Sequence, residues 1–396
     1  MKLLKTTLSC ATLLLSSAVS ANPVVIPNPP SIAAESYILM DYQTGQILAE
    51  KDANLQRAPA SLTKIMSSYV LGQELKSGRI KLDDTVTVST NAWAQNPKLK
   101  GSSLMWLREG TSVSVDELYQ GMVVASGNDA CIAIAEHIAG SESGFTHLMN
   151  TWAGELGMHN SLFENSHGLD ANQQQSTAYD MALLTQAFIR DLPDYYKLHS
   201  QKQFTYNNIT TTNRNGLLWD QSMNVDGVKT GYTSNAGYSL VSSATVDDMR
   251  LIAVVMGVPG RNSQEGSNRR QQETKTLLNY GFRFFETVTP YRAGDTFVRQ
   301  PIWYGSQAEV ALGTNIDTPV TIYRGQANAL ESAFELDQTL EAPLEKGQQV
   351  GTLYFRLGDK EVASYPLVVM ESVNEGSWFS KLVDYFKLLF QSLWSA

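Results

Sequence analysis

The apolar positions change period along the chain, and the changes predict its elements. Tyr37–Asp41 and Gln46–Glu50 are short apolar-rich runs meeting at Gly45, the pattern of two strands joined by a turn. From Ser61 the period turns helical. Leu62, Ile65, Met66, Tyr69 and Val70 share one face, with Pro59 ahead and Gly78 behind. Helical patterns dominate to about Arg190. Gly237–Thr245 and Arg250–Val258 then predict a hairpin of two buried strands turning at Asp247-Asp248, and Gln271–Thr287 predicts a helix. Strands at both ends of a helical middle point to one α/β (α+β) domain whose sheet is closed by distant parts of the chain.

Beyond Thr289 the pattern is different. Thr296–Val298, Glu309–Leu312, Pro319–Tyr323, Ala333–Leu336, Gln349–Phe355 and Val362–Val369 are short β-prone runs broken by Gly, Pro and Asp. They predict a small all-β domain with no recognisable chemistry of its own. From Trp378 apolar residues recur at steps of three and four (Trp378/Phe379, Leu382/Val383, Phe386, Leu389/Phe390, Leu393/Trp394), opposite Lys381, Asp384, Lys387 and Gln391. Three charges within the segment argue against a span. The pattern fits a helix lying in a membrane interface, or a terminal helix docked on the protein's own core. At the other end, Lys2 and Lys5 precede a short apolar run (Leu13–Val19) and the small residues Val19, Ser20 and Ala21. That order is a secretory signal peptide, too short to span. The expected division is 1–21 leader, 22–288 catalytic domain, 289–374 β domain and 375–396 anchor.

Composition adds limits. The chain has 396 residues, 43% hydrophobic and 17% charged, enough for two globular domains. A net charge of −9 without a basic stripe argues against nucleic acid as partner. Cys10 falls in the leader, which leaves Cys131 alone in the mature chain and rules out an internal disulfide. Its small and apolar neighbours suggest a packed core thiol.

Three motifs carry candidate chemistry. Ser61-Leu62-Thr63-Lys64 puts a serine and a lysine three apart at a helix start, on one face and within contact. A lysine amine can serve as base if burial and a second cation keep it neutral, and the helix N-terminus favours alkoxide character on Ser61. A helix cap followed by a surface lysine would look the same. Ser126-Gly127-Asn128 sits between Met122–Ala125 and a helix beginning near Asp129. Ser126 could relay a proton and Asn128 could hold a substrate carbonyl. By itself the pattern says little, since Ser89-Thr90-Asn91 and Ser222-Met223-Asn224 repeat it. Lys229-Thr230-Gly231 enters the strand hairpin. Its lysine and threonine suit a terminal carboxylate, its glycine leaves room for a substrate backbone, and Lys229 would be the second cation. A turn with an exposed lysine is the plainer alternative.

In this order and separation the three motifs match the penicillin-recognising serine enzymes. No G-x-S-x-G elbow, H-E-x-x-H pair or phosphate-cradling glycine loop accompanies them, so no metal or cofactor is expected. The chain resembles the low-molecular-weight serine-type DD-carboxypeptidases of the penicillin-binding protein 5 and 6 type over almost the whole mature sequence. Beyond the motifs, the resemblance includes Ala58–Met66, Asn213-Arg214-Asn215-Gly216-Leu217-Leu218-Trp219 and Gly281-Phe282-Arg283-Phe284-Phe285.

That resemblance implies a central antiparallel sheet with helices, then a β domain and an amphipathic helix at the periplasmic face of the inner membrane. It implies removal of the terminal D-alanine from stem peptides ending in D-Ala-D-Ala, with β-lactams as covalent inhibitors. Ser61 would carry the acyl group, Lys64 would accept the proton and Ser126 would relay it. The N–H groups of Ser61 and Tyr232 would form the oxyanion hole, Arg214 and Arg270 would stand near the cleft, and Cys131 would lie close to it. Some relatives have His where this chain has Tyr232, which bears on pH dependence and substrate preference. DD-endopeptidase activity, a β-lactamase using Glu164, and a non-enzymatic wall protein are the alternatives.

Overall fold

The computed structural model describes residues 27–394, and side chains within the last helix only as far as Lys387. The expected leader, 1–21, lies outside the described residues. Strands β1 (Ser36–Asp41) and β2 (Ile47–Lys51) form the opening hairpin, followed by α1 (Thr63–Lys76). A short ribbon of β3 (Thr85–Thr87) and β4 (Ser112–Ser114) leads to α2 (Val115–Gln120), α3 (Asn128–Ala139), α4 (Glu142–Glu155), α5 (Ala178–Asp191) and the single turn α6 (Pro193–Tyr196). A second ribbon, β5 (Gln203–Tyr206) with β6 (Ile209–Thr212), precedes β7 (Asn224–Thr233), β8 (Gly237–Val246), β9 (Met249–Val258) and α7 (Ser263–Phe284).

The main sheet runs β2-β1-β9-β8-β7, every neighbouring pair antiparallel, so the chain's first strands close on its late hairpin. Alternate residues serve opposite faces. Ile38, Met40, Ile252, Val254 and Met256 join Ile65, Met66 and Tyr69 of α1, Phe145 of α4 and Phe188 of α5 in one core. Tyr37, Leu39, Leu251, Ala253 and Val255 join Leu277 and Leu278 of α7 in another. A sheet covered on both faces explains why β9 reads as a nearly continuous apolar run and why β8 is buried along most of its length, its serines included. Each of these large side chains, fully buried, contributes about 1.5–3 kcal/mol.

Helix α7 starts earlier and stops sooner than the sequence pattern implied. Asn262 caps it, accepting from the Glu265 N–H at 2.9 Å, while its first turns are largely solvated and carry little apolar period. Its end is set by tertiary pairing, because Phe285–Val288 is not helix but strand β10.

The β domain contains β11 (Thr296–Pro301), β12 (Glu309–Gly313), β13 (Val320–Tyr323), β14 (Leu330–Leu336), β15 (Gln349–Leu357) and β16 (Lys360–Val369), followed by α8 (Trp378–Trp394). Its five-stranded sheet runs β11-β12-β16-β15-β14, and β13 pairs with β10. Buried Asp41 ties the two parts together. It accepts from the Thr44 hydroxyl at 2.9 Å and the Thr287 hydroxyl at 2.8 Å, and Thr44 Oγ1 meets Thr321 Oγ1 at 2.7 Å.

Helix α8 leaves the apolar side chains described on it outside. Trp378 is 77% and Phe379 69% exposed, with Leu382 and Phe386 also open. Its polar side faces the β domain. Asp384 Oδ2 accepts from the Tyr304 N–H at 3.1 Å, and Lys381 pairs with Glu375. No helix among the described residues is long and apolar enough to cross a membrane.

Candidate active site

Ser61 lies in a 3-10 turn, Ala60–Leu62, that runs directly into α1, so Lys64 falls in the first helical turn. Sidedness within that turn brings Lys64 Nζ to 3.1 Å from Ser61 Oγ. Lys64 is fully buried, and Nζ also donates to Asn128 Oδ1 at 2.7 Å and the His167 carbonyl at 2.6 Å. Desolvation lowers its pKa to about 8, with Cys131 and Asp129 opposing and Arg214 reinforcing the fall. Arg214 and Lys229 both set positive charge near Lys64, and the repulsion between the two lysines is mutual. Lys229 is in turn held well below the usual lysine range by burial and then by Lys64, Arg214 and Arg270.

The second motif is shaped by an irregular turn. Gly121–Ala125 forms a π-helical turn and Ser126 follows in the left-handed region (φ 58°) before α3 begins at Asn128. Ser126 is buried, and its Oγ has no hydrogen-bond partner among the described residues. Asp129 accepts from the N–H groups of Met105 (2.8 Å) and Leu107 (3.0 Å), while the Asn128 N–H donates to the Ser103 carbonyl at 2.8 Å. These bonds draw the 103–107 segment against the motif as a cleft wall.

The third motif lies on β7, the edge strand, whose outer backbone is left without a sheet neighbour. Lys229 and Thr230 are buried. The space left by Gly231 is used differently from the expectation that it receives substrate. A Cβ there would meet the Pro59 carbonyl at 3.1 Å and Leu62 at 3.2 Å, so the glycine seats the Ser61 turn against β7. Arg270 reaches from α7 to donate to the Gly231 carbonyl at 3.1 Å, and Arg214 donates to Ser103 Oγ at 2.7 Å. Tyr232 is 53% exposed and stacks on Tyr238 with ring centroids 4.3 Å apart.

These elements enclose a cleft of about 540 Å³ whose lining includes Ser61, Ser103, Asn128, Asp170, Arg214 and Tyr232. The first two motifs reach it through Ser61 and Asn128, Arg214 lines it, and β7 enters the lining at Tyr232, while Lys229, Thr230 and Arg270 are buried. Cys131 is buried behind it, donating to the Gly127 carbonyl, and burial raises its pKa to about 12. The sequence reading missed the opposite wall, 167–170. His167 takes part through its carbonyl, which no side-chain pattern announces. Gly168 (φ 93°) passes so close to the Ser61 turn that a Cβ would stand 1.9 Å from the Ala60 carbonyl oxygen. Asp170 accepts from Thr233 Oγ1 at 2.8 Å and Asn235 Nδ2 at 3.1 Å, closing the mouth across to the β7–β8 turn. Glu164 is exposed, accepts from the Gln173 N–H and is absent from the cleft lining.

A serine facing a buried lysine between helices and the edge of an antiparallel sheet defines the penicillin-recognising class of serine hydrolases. Residues 23–260 match the family model for D-alanyl-D-alanine carboxypeptidases, and 285–375 match that for the penicillin-binding protein 5 C-terminal domain. The D-alanyl-D-alanine carboxypeptidase DacA of Escherichia coli is 50% identical over 92% of this chain and 90% of its own length. DacF of Bacillus subtilis is 33% identical over 88% of each. Penicillin-binding protein 5 from Haemophilus influenzae superposes with a TM-score of 0.83 at 46% identity, covering 88% of this chain and all of that one. The chain belongs to the D-alanyl-D-alanine carboxypeptidase family.

Proposed function

We propose that this protein hydrolyses the terminal D-Ala-D-Ala bond of peptidoglycan stem peptides through an acyl-enzyme on Ser61. The observation that carries the reading is the surrounding of Lys64 Nζ. A neutral amine has two N–H donors and one lone pair. Asn128 Oδ1 and the His167 carbonyl take the donors, which leaves the lone pair for the Ser61 hydroxyl. With its pKa lowered to about 8, Lys64 is partly in base form at neutral pH.

Ser61 Oγ attacks the carbonyl carbon of the penultimate D-alanine as its proton passes to Lys64. The tetrahedral oxyanion lies between the N–H groups of Ser61 and Tyr232. When the C–N bond breaks, the leaving amine takes up the proton held by Lys64 through Ser126, whose hydroxyl has no competing partner among the described residues. Water then attacks the ester with Lys64 again as base, freeing Ser61 and the shortened peptide. Lys229 and Thr230 receive the terminal carboxylate, with Arg270 bracing the strand at Gly231 and Arg214 adding positive charge. Asn128 orients the substrate amide. A β-lactam enters as a cyclic analogue of the same bond, and its tethered leaving group prolongs the acyl-enzyme.

The family and the leader-like N-terminus support export, and α8 supports anchoring at the inner-membrane surface. Its described apolar side chains, Trp378 to Phe386, are turned away from the protein that carries them. The decisive experiment is D-alanine release from a pentapeptide ending in D-Ala-D-Ala, with Ser61→Ala alongside. Release by the unaltered protein alone supports the reading. Equal release by both removes Ser61 as the nucleophile.

A further inference from the structure

We propose that Glu142 is a positioning residue for the general base, acting through Ser166 to hold the His167 carbonyl against Lys64 Nζ. The inference rests on the reading of Lys64 as base. It begins with the bond from Nζ to the His167 carbonyl, at 2.6 Å the shortest that Nζ makes. If that oxygen moves, one N–H of the amine is released, the amine can rotate, and its lone pair leaves the line to Ser61.

The oxygen belongs to a loop, so something must keep it still. Ser166, the preceding residue, is tied on every side. Its N–H and hydroxyl both donate to Glu142 Oε1, at 3.0 and 2.6 Å, and its carbonyl accepts from Ser67 Oγ at 2.6 Å. Ser67 stands one turn beyond Lys64 on α1. Bonds thus run from α1 to the 166–167 segment and on to Glu142 at the start of α4.

The His167 ring is held by the same carboxylate. The Leu169 N–H donates to His167 Nδ1 at 3.1 Å, so the ring proton resides on Nε2, which faces Glu142 Oε1 at 3.5 Å. Desolvation lowers the His167 pKa to about 3, which keeps the ring neutral and this tautomer in place. Asn165 supplies a complementary restraint, accepting the Gly168 N–H at 2.7 Å and so setting the tilt of the 167–168 peptide. Asn165 sets the rotation of that peptide, and Glu142 sets where it stands.

A carboxylate in the first turn of a helix is also favourable simply because of the helix dipole. The test separates the two roles. Acylation by a fluorescent penicillin is followed from acid to alkaline pH for the full chain and for Glu142→Ala, Glu142→Gln, Ser166→Ala and Lys64→Ala, with thermal unfolding of each. The groups facing Lys64, which are Cys131 and Asp129 from α3, Arg214, Lys229 from β7 and the His167 ring, are unchanged in the Glu142 variants.

Glu142→Ala should lower the alkaline plateau about tenfold, short of the hundredfold expected for a full 1 Å displacement because Asn165 still acts. Its ascending limb should move to lower pH, since the ammonium form has lost a fixed acceptor. Glu142→Gln keeps an oxygen for Ser166 and should stay within about twofold of the plateau, with Ser166→Ala between the two. An unaltered plateau and limb in Glu142→Ala would overturn the proposal. So would equal losses in the Ala and Gln variants that follow reduced melting temperature without a shift of the limb. If Lys64→Ala acylates normally, the base assignment itself is wrong. If Lys64→Ala is silent while Glu142→Ala is normal, only the role of Glu142 falls.

Discussion

The cleft and the C-terminal helix break the ordinary sorting of residues in opposite directions. At the cleft the chain buries Lys64, Lys229 and Arg270, side chains that water would stabilise. At α8 it exposes Trp378, Phe379, Leu382 and Phe386, side chains that water would exclude. Each choice costs stability when the protein is considered alone. Burial at the cleft keeps an amine partly neutral, and exposure at α8 leaves apolar surface that the proposed anchoring would cover. The two regions also differ in how they are held. The cleft is enclosed by bonds from α1, α3, β7 and the 167–170 wall, whereas α8 is steadied by polar contacts such as Asp384 to Tyr304.

The comparison is broken most severely at the cleft. Ser61→Ala should remove covalent penicillin labelling with a loss of about 10⁴-fold or more in acylation rate. Persistent labelling at another serine would mean that the buried lysine serves something else. At the other region, Phe379→Glu combined with Phe386→Glu should weaken binding to anionic lipid vesicles by about two to four orders of magnitude, at roughly 1.5–3 kcal/mol for each buried aromatic. D-alanine release from soluble peptide should be unchanged by that pair. Loss of activity with unchanged vesicle binding would reverse the assignment of the two regions.

A smaller effect is expected from pH. Acylation should rise with pH through about 8 as Lys64 loses its proton, and a limb near the ordinary lysine value would show that burial does not set its state. Stability should change in a lower window. Burial brings the His167 pKa to about 3 and that of His199 to about 4, from an ordinary 6.5. As pH falls from about 6.5 towards 4, the unfolded chain therefore takes up protons that the folded one refuses. Stability should drop by about 1.4 kcal/mol per pH unit for each histidine. Chemical denaturation across that window measures it, and a flat profile would show that both rings protonate in place.

Much of this was legible beforehand because it is local. Apolar period placed β1, β2, α1 and the β8–β9 hairpin, and the Ser61–Lys64 spacing required contact if a helix formed there. The start of α7 was hidden because its first turns are largely solvated, although Asn262 and Glu265 carried a capping signal. The end of α7 is decided by β10 pairing with β13, a partner many residues away. Gly231 was assigned to the right place for the wrong reason, since its missing side chain accommodates the Ser61 turn.

Sequence alone determined some elements (β1, β2, α1 and the β8–β9 hairpin), the three motifs, their order and the amphipathic character of α8, all of which follow from periodicity and short-range spacing. Only the tertiary structure decided that Arg214 adds its charge near Lys64, that a backbone carbonyl from His167 orients its amine, and that the polar side of α8 faces the β domain. The physical reason is that burial, field and backbone acceptors depend on segments brought together by folding. No residue's own identity records which neighbours it will be buried against.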